Sequence, residues 1–469
     1  MKKHQLLSLY IIISFFTSAN AVFCAESNYE NNVKPVSQLK GNLVDNKAEY
    51  INNDWWSKFK DPVLSGYILK AASQNQDIKI ASLKVLETKE VVRESLGKEF
   101  PLLGFGTNFS RDKTSSNVGM GSFVLPSYTQ NSYRLPLDVS YEFDLWRKNR
   151  DKTLSLTKEL EATKYDEKAS YISLTSAVAG AYFNAINLDK QIQLQKEIIS
   201  FRKDIYNLTK ENYNYGLNTA VDVVLADKSL TEAQSGLYDL EKQQSIFLNQ
   251  LSVLIGDSSD SSTSLKRASI DSIDLIKDLP QNIKSEIVKN RPDILKAEAE
   301  IQKTRIDVNL ARKEILPDIT LSGTFGFNAN KLAKVSEWDS HIISMGGNFL
   351  GVIFSGGQRK ARLKIKKYQY EQMLENYQKT VLKSFQEVND SMASLKFDTQ
   401  KNDSNIARIK SEGENLDTII LKYDKGAISY LDTLQYRERV ITLEKEQIQS
   451  KTDCLIDSLS LYKAVGGKL

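Results

Sequence analysis

A twelve-residue motif occurs twice in this chain. Tyr213-Asn-Tyr-Gly216-Leu-Asn-Thr219-Ala-Val-Asp222-Val-Val returns as Tyr423-Asp-Lys-Gly426-Ala-Ile-Ser429-Tyr-Leu-Asp432-Thr-Leu, and 423−213, 426−216 and 432−222 all equal 210. The same register pairs Leu251 with Leu461, Ile255 with Val465 and Gly256 with Gly466. An offset held without a gap over such a length marks two copies of one structural unit, and two copies are too few for a solenoid.

The prolines bound what each copy contains. All 8 lie at 35, 62, 101, 126, 136, 280, 292 and 317, so 137–279 and 318–469 are free of them. Such tracts admit very long helices, expected over 145–213 and 358–424. Along the second, Tyr370, Met373, Tyr377, Val381, Phe385, Val388, Met392 and Leu395 recur at three- and four-residue steps, a coiled-coil stripe that has to pack lengthwise. Gly216 and Gly426 stop these helices in a left-handed cap, and Thr219 and Ser429 then cap helices returning to about 255 and 465. A first helix is expected over 62–99, opened by Pro62, and another from Asp293 to about Leu316.

Between helices the period changes from 3.6 to 2. Leu103, Phe105 and Phe109 alternate with Gly104, Gly106 and Asn108, and Leu137, Val139 and Tyr141 alternate with Asp138, Ser140 and Glu142. Leu321 and Phe325 alternate with Ser322 and Thr324, and Phe349 lies on the strand that follows. Strands are expected over 101–111, 132–144, 317–328 and 343–355, long enough to cross a bilayer at a tilt. Their small and polar partners suit a wet lumen; a soluble sandwich with a separate coiled coil is the other reading.

The amino terminus runs Met1-Lys-Lys, an apolar core from Leu6 to Phe16, then Ala19-Asn-Ala21, the order of a secretory signal peptide over 1–21. Cys24 admits lipidation, although Phe23 occupies the position where that signal wants a small residue. Segment 22–61 reads as periplasmic, 62–256 as the first repeat, the Ser- and Asp-rich 257–280 as a linker and 281–469 as the second repeat. A formal charge of +4 speaks against nucleic acid as a partner. His4 and His341 cannot assemble a His-based triad or zinc site, and Gly356-Gly357 lacks the Lys-Ser/Thr of a phosphate loop. Neither enzyme activity nor a cofactor or metal is expected.

Four long strands per chain cannot close into a barrel, and lipid does not tolerate open strand edges. The strands therefore require other copies of the chain, and three would give 12 strands. Two or four copies satisfy closure equally.

Asp54-Trp55-Trp56 with Phe59 and Asp61-Pro62, Tyr141-Glu-Phe-Asp-Leu-Trp146, Arg291-Pro-Asp-Ile294 and Phe354-Ser-Gly-Gly-Gln-Arg359 occur in order. On these motifs the chain resembles the TolC-like outer-membrane efflux factors, most closely the subgroup serving RND-type pumps. The resemblance covers about 50–467. It implies a homotrimer with a 12-stranded barrel in the outer membrane, continued by an α-helical periplasmic tunnel that an adaptor protein and an inner-membrane pump open. It also implies an acidic, cation-attracting ring containing Asp432, and a hydrogen bond between Tyr423 and Asp222 that ties helical hairpins together when closed. Where the family prototype has an arginine and a further aspartate, this chain has Ile428 and Gln435, which implies a weaker latch and a less acidic ring. From the residues alone, Asp222 and Asp432 serve equally as first-turn acids that favour a helix dipole. The function implied is an exit duct of a tripartite pump passing small toxic compounds. A type I secretion duct shares the architecture, and a periplasmic coiled-coil adaptor would need one hairpin flanked by β-domains.

Overall fold

The structure, a computed structural model, describes residues 55–115, 119–120, 123–124, 127–276 and 289–467. The signal peptide, Cys24, Asp54, most of the 22–61 segment and the end of the 257–280 linker lie outside the described residues.

After a short turn at Trp55–Phe59 come helices α1 (Pro62–Gln74) and α2 (Gln76–Gly97), then strands β1 (Leu102–Phe105), β2 (Asn108–Lys113), β3 (Gly119–Met120), β4 (Phe123–Val124) and β5 (Thr129–Glu142). Helices α3 (Lys148–Asn214) and α4 (Ala220–Leu254) complete the first copy. The second runs α5 (Pro292–Lys313), β6 (Asp318–Ala329), β7 (His341–Leu350), α6 (Gln358–Asp424) and α7 (Tyr430–Ala464). The 210 offset recurs in the helix boundaries: Lys148 and Gln358, Asn214 and Asp424, Ala220 and Tyr430, Leu254 and Ala464. With 67 residues each, α3 and α6 are on the order of 100 Å long.

Three of the departures from the expected elements have a clear local reason. The helix expected over 62–99 breaks at Asn75, whose Oδ1 accepts from the amides of Asp77 and Ile78 and so caps α2 while its Nδ2 donates to Leu254 O. The strand expected over 101–111 is interrupted between β1 and β2, although both pair with β5 in one register. The interruption faces Pro136, which has no amide to donate. The last strand ends at Leu350 instead of 355; Leu350 pairs with Asp318, and the next partner would be Pro317.

The described residues divide into two compact units, those within 94–151 and 310–361, and those within 55–93, 152–309 and 362–467. The first holds the antiparallel sheet, in which β1 and β2 pair with β5, β5 with β6 and β6 with β7.

In the helical unit, Trp55, Trp56 and Phe59 are buried with Tyr182, Phe183, Leu251, Ile255 and Tyr462, joining residues from both copies. Asp61, also buried, caps α1 by accepting from the amides of Val63 and Leu64, and accepts from Tyr182 Oη at 2.6 Å. Arg291 is 6% exposed; it donates to Ala464 O at the end of α7 and pairs with Asp293 and Glu387. The motif residues flanking the two copies thus build the core, which accounts for their place in the sequence.

One packed seam carries a titratable group. Asp457 Oδ2 on α7 is buried without a donor, and Asp398 of α6 faces it within hydrogen-bonding reach, with Asp453 nearby on its own helix. Burial, then Asp398, push the Asp457 carboxyl up to about 7. A carboxyl whose folded value lies above its unfolded value, near 4, stabilises fully below the unfolded value, and the gain is lost as pH rises through the folded one. The melting temperature of the wild type should therefore fall between about pH 5 and about pH 8, and Asp457→Asn should flatten that slope; parallel slopes would rule out Asp457 as its source.

Candidate functional site: the hairpin tips and the sheet face

Each long helix ends in the same way. Gly216 and Gly426 take φ of +75° and +71°, a conformation that costs glycine little. Leu217 N donates back to Asn212 O and Ala427 N to Lys422 O, both at 2.8 Å, closing the last turn. The return helices start in capping boxes. Thr219 Oγ1 accepts from Asp222 N while Asp222 Oδ2 accepts from Thr219 N and Oγ1. Ser429 and Asp432 repeat this contact for contact.

Asp432 is exposed at its tip, Asp222 is half-buried at the other, and both are engaged as caps. The bonds from the Thr219 amide and hydroxyl hold the Asp222 carboxyl below the usual carboxylate range. Tyr423 packs against Tyr430, ring centroids 5.7 Å apart. Among the described residues of a single chain, Asp222 accepts from Thr219 and not from Tyr423. Beside these groups the first tip exposes Tyr215, Leu217 and Val221.

A second set of contacts, silent in the sequence, joins the hairpins of the two copies. Arg202 of α3 donates through Nε and Nη2 to Glu438 of α7 at 2.9 and 2.6 Å, and through Nη1 to Ser229 O of α4. Farther along, Lys445 Nζ donates to Gln195 Oε1, Gln191 to Lys445 O and Asn187 to Gln449. The only advance signal was polar residues interrupting an apolar stripe, a pattern too common to single them out.

The sheet sorts its side chains by face. Leu103, Val139, Gly323 and Met345 lie in one cross-strand row, and Phe105, Leu137, Phe325 and Ile343 in the next. Tyr141 pairs with Leu321, Phe109 with Tyr133 and Phe349 with Ile319 on the same face. Leu103, Phe105, Phe109, Leu321 and Phe349 are exposed. The alternate rows are polar: Gly104, Asp138, Thr324 and Ser344 share one, in which Thr324 Oγ1 donates to Asp138 Oδ1 at 2.6 Å. An antiparallel sheet that is apolar on one side, polar on the other and, among the described residues, unpaired at both edges is an arc awaiting closure. No helix among the described residues is long and apolar enough to cross a membrane.

The model of the outer membrane efflux protein family matches residues 68–257 and 283–467, the two copies described above. The chain belongs to the outer membrane efflux protein family. The pyoverdine export outer membrane protein OpmQ of Pseudomonas aeruginosa is 25% identical over 415 residues, covering 88% of this chain and 87% of that protein. The cation efflux system protein CusC of Escherichia coli is 23% identical over 444 residues, with 94% of each chain covered. This efflux protein has the fold of the Campylobacter jejuni outer membrane channel CmeC, with a TM-score of 0.82 at 24% identity over 88% of each chain. The Vibrio cholerae outer membrane protein VceC matches with a TM-score of 0.78 at 21% identity, covering 88% of this chain and 98% of that one. An efflux protein of this family works as a channel in the outer membrane, with its helical tunnel in the periplasm, and the family is one of channels and not of enzymes.

Proposed function

We propose that this efflux protein is the passive exit duct of a tripartite pump, a homotrimer whose 12 strands close the barrel and whose hairpin tips form the periplasmic aperture. The observation that carries this reading is the sheet, whose apolar face is largely exposed and whose polar face is lined with Gly, Ser, Thr and Asp. The apolar rows through Leu103, Phe105, Phe109, Leu137, Val139, Tyr141, Leu321, Phe325 and Phe349 face lipid, and the polar rows face a wet lumen. The chain does no chemistry; a periplasmic adaptor meets the tips, and an inner-membrane pump, of the RND type by resemblance, drives the transport. A type I secretion duct, identical in architecture, would differ in its partner.

At the aperture, Asp432 from three chains forms the acidic ring, with Asp222 and Tyr423 as the latch. Gly216, Gly426, Thr219 and Ser429 set the geometry from which these side chains project. Capping and ring-forming are compatible, since a carboxylate that accepts on one oxygen still presents charge toward a pore. In planar bilayers, Asp432→Ala should weaken block by divalent or trivalent cations added on the periplasmic side by roughly tenfold. Unchanged block would leave Asp432 as a cap alone.

A further inference from the structure

The polypeptide has no Asp or Glu between Asp339 and Glu371, yet within that stretch it places Arg359, Lys360, Arg362, Lys364, Lys366 and Lys367. These six cations open α6, which has no acidic residue in its first turn. Lys360, Lys364 and Lys367 are exposed and, at spacings of four and three, line one face of the helix. The neighbouring row is exposed and apolar at Ile365 and Tyr368.

This arrangement opposes two local preferences. Cations disfavour a helix N-terminus, where the macrodipole is positive, and like charges at three- and four-residue spacing repel. The first copy also opens its helix on cations, Lys148, Arg150 and Lys152, but sets acids against them, Lys148 pairing with Asp318. Asp144 caps α3 by accepting from the amides of Lys148 and Arg150, and Asp151 lies in the first turn. At the 210 offset the three lysines correspond to Arg150, Leu154 and Thr157. The three-lysine row is therefore not a requirement of the fold, and no acid among the described residues pairs with Lys360, Lys364 or Lys367, which leaves the row to an external anion.

The chain position identifies that anion. β7 ends at Leu350, and the residues leading from it to α6 include Val352, Ile353 and Phe354, 55%, 104% and 86% exposed. An exposed apolar segment followed at once by a cationic row matches the layering of a bilayer surface, acyl chains and then phosphates. We propose that Lys360, Lys364 and Lys367 form a docking row for the anionic phospholipid headgroups of the periplasmic leaflet. The proposal rests on the barrel being seated in the membrane, with α6 leaving it on the periplasmic side.

The test uses the full-length assembled channel, in vesicles of phosphatidylcholine alone or of equal parts phosphatidylcholine and phosphatidylglycerol. After re-extraction, native mass spectrometry counts the lipids retained. The wild type should hold phosphatidylglycerol over phosphatidylcholine by roughly tenfold, and the triple variant K360Q/K364Q/K367Q should fall to near parity, while the corresponding triple arginine variant keeps the preference. Should the triple glutamine variant fail to assemble, K364Q alone should lower the preference severalfold. A wild type that enters both vesicles without preference, or a glutamine variant that keeps it, overturns the headgroup assignment and leaves the barrel intact. A glutamine variant that instead shifts the reversal potential of the channel places the row in the pore and also overturns it. Failure of the wild type to enter either vesicle overturns this assignment together with the barrel.

Discussion

Gly326→Ala should abolish assembly of the channel. Gly326 in β6 pairs with Pro136 in β5, and a Cβ on it would press into the carbonyl oxygen of Leu135 and stand 2.8 Å from Pro136 Cα. The obstacles are backbone atoms of a neighbouring strand, which cannot rotate away as a side chain can. Relief would require β5 and β6 to part at the middle of their ladder, forfeiting several hydrogen bonds and costing about 3 kcal/mol or more. At Gly323, three residues earlier on β6, the nearest neighbour of an added Cβ is Ser344 O at 3.8 Å, ordinary contact distance. The expected result is loss of heat-modifiable oligomer from outer-membrane fractions for Gly326→Ala, with Gly323→Ala close to wild type. Equal accumulation of the two variants would show that the β5–β6 pairing is not under this constraint.

The second large effect is expected at the Arg202–Glu438 clamp. Both side chains are mostly buried, 25% and 20% exposed, and the guanidinium also ties in Ser229 O. Removing Glu438 leaves a partly desolvated cation without its partner, a loss of about 2 kcal/mol. If the clamp holds the hairpins of the two copies together in the closed aperture, that loss shifts the closed-to-open ratio by roughly tenfold or more toward open. Glu438→Ala should then raise basal conductance and sensitise cells to large antibiotics that wild-type channels exclude, whereas Glu438→Gln, which still accepts hydrogen bonds, should fall between. A variant with lowered melting temperature but unchanged conductance would make the clamp a fold-stabilising contact with no part in gating.

The repeat was legible from one chain because its punctuation is local. A glycine at a left-handed cap and a Thr or Ser three residues on act within a single turn, so the offset of 210 in the motif reappears in both ends of both helix pairs. Strand alternation was legible for the same reason. The strand boundaries were less so, because Pro136 interrupts its partner strand and not its own, and Gly106, which donates to the Pro136 carbonyl, is 30 positions away. The Arg202–Glu438 clamp and the Asp398–Asp457 pair lie at still greater separations, between residues whose types are ordinary on a charged helix. At the tips, the sequence left capping and gating open as roles for Asp222 and Asp432; the structure adds the capping contacts of each carboxylate and leaves the ring and latch to assembly.

The uninterrupted helices α3 and α6 have a mechanical consequence. Neither contains proline, the commonest origin of a sharp kink. A helix of that length behaves as a lever: a pivot of about 5° at one end sweeps the other through roughly 9 Å, more than the diameter of a hydrated ion, without breaking a single backbone hydrogen bond. If the proposed aperture lies at the far end of such levers, small rotations distributed along packed seams would open it, and the force asked of a partner would be set by the few side-chain ties near the tips and not by any need to unfold the rods.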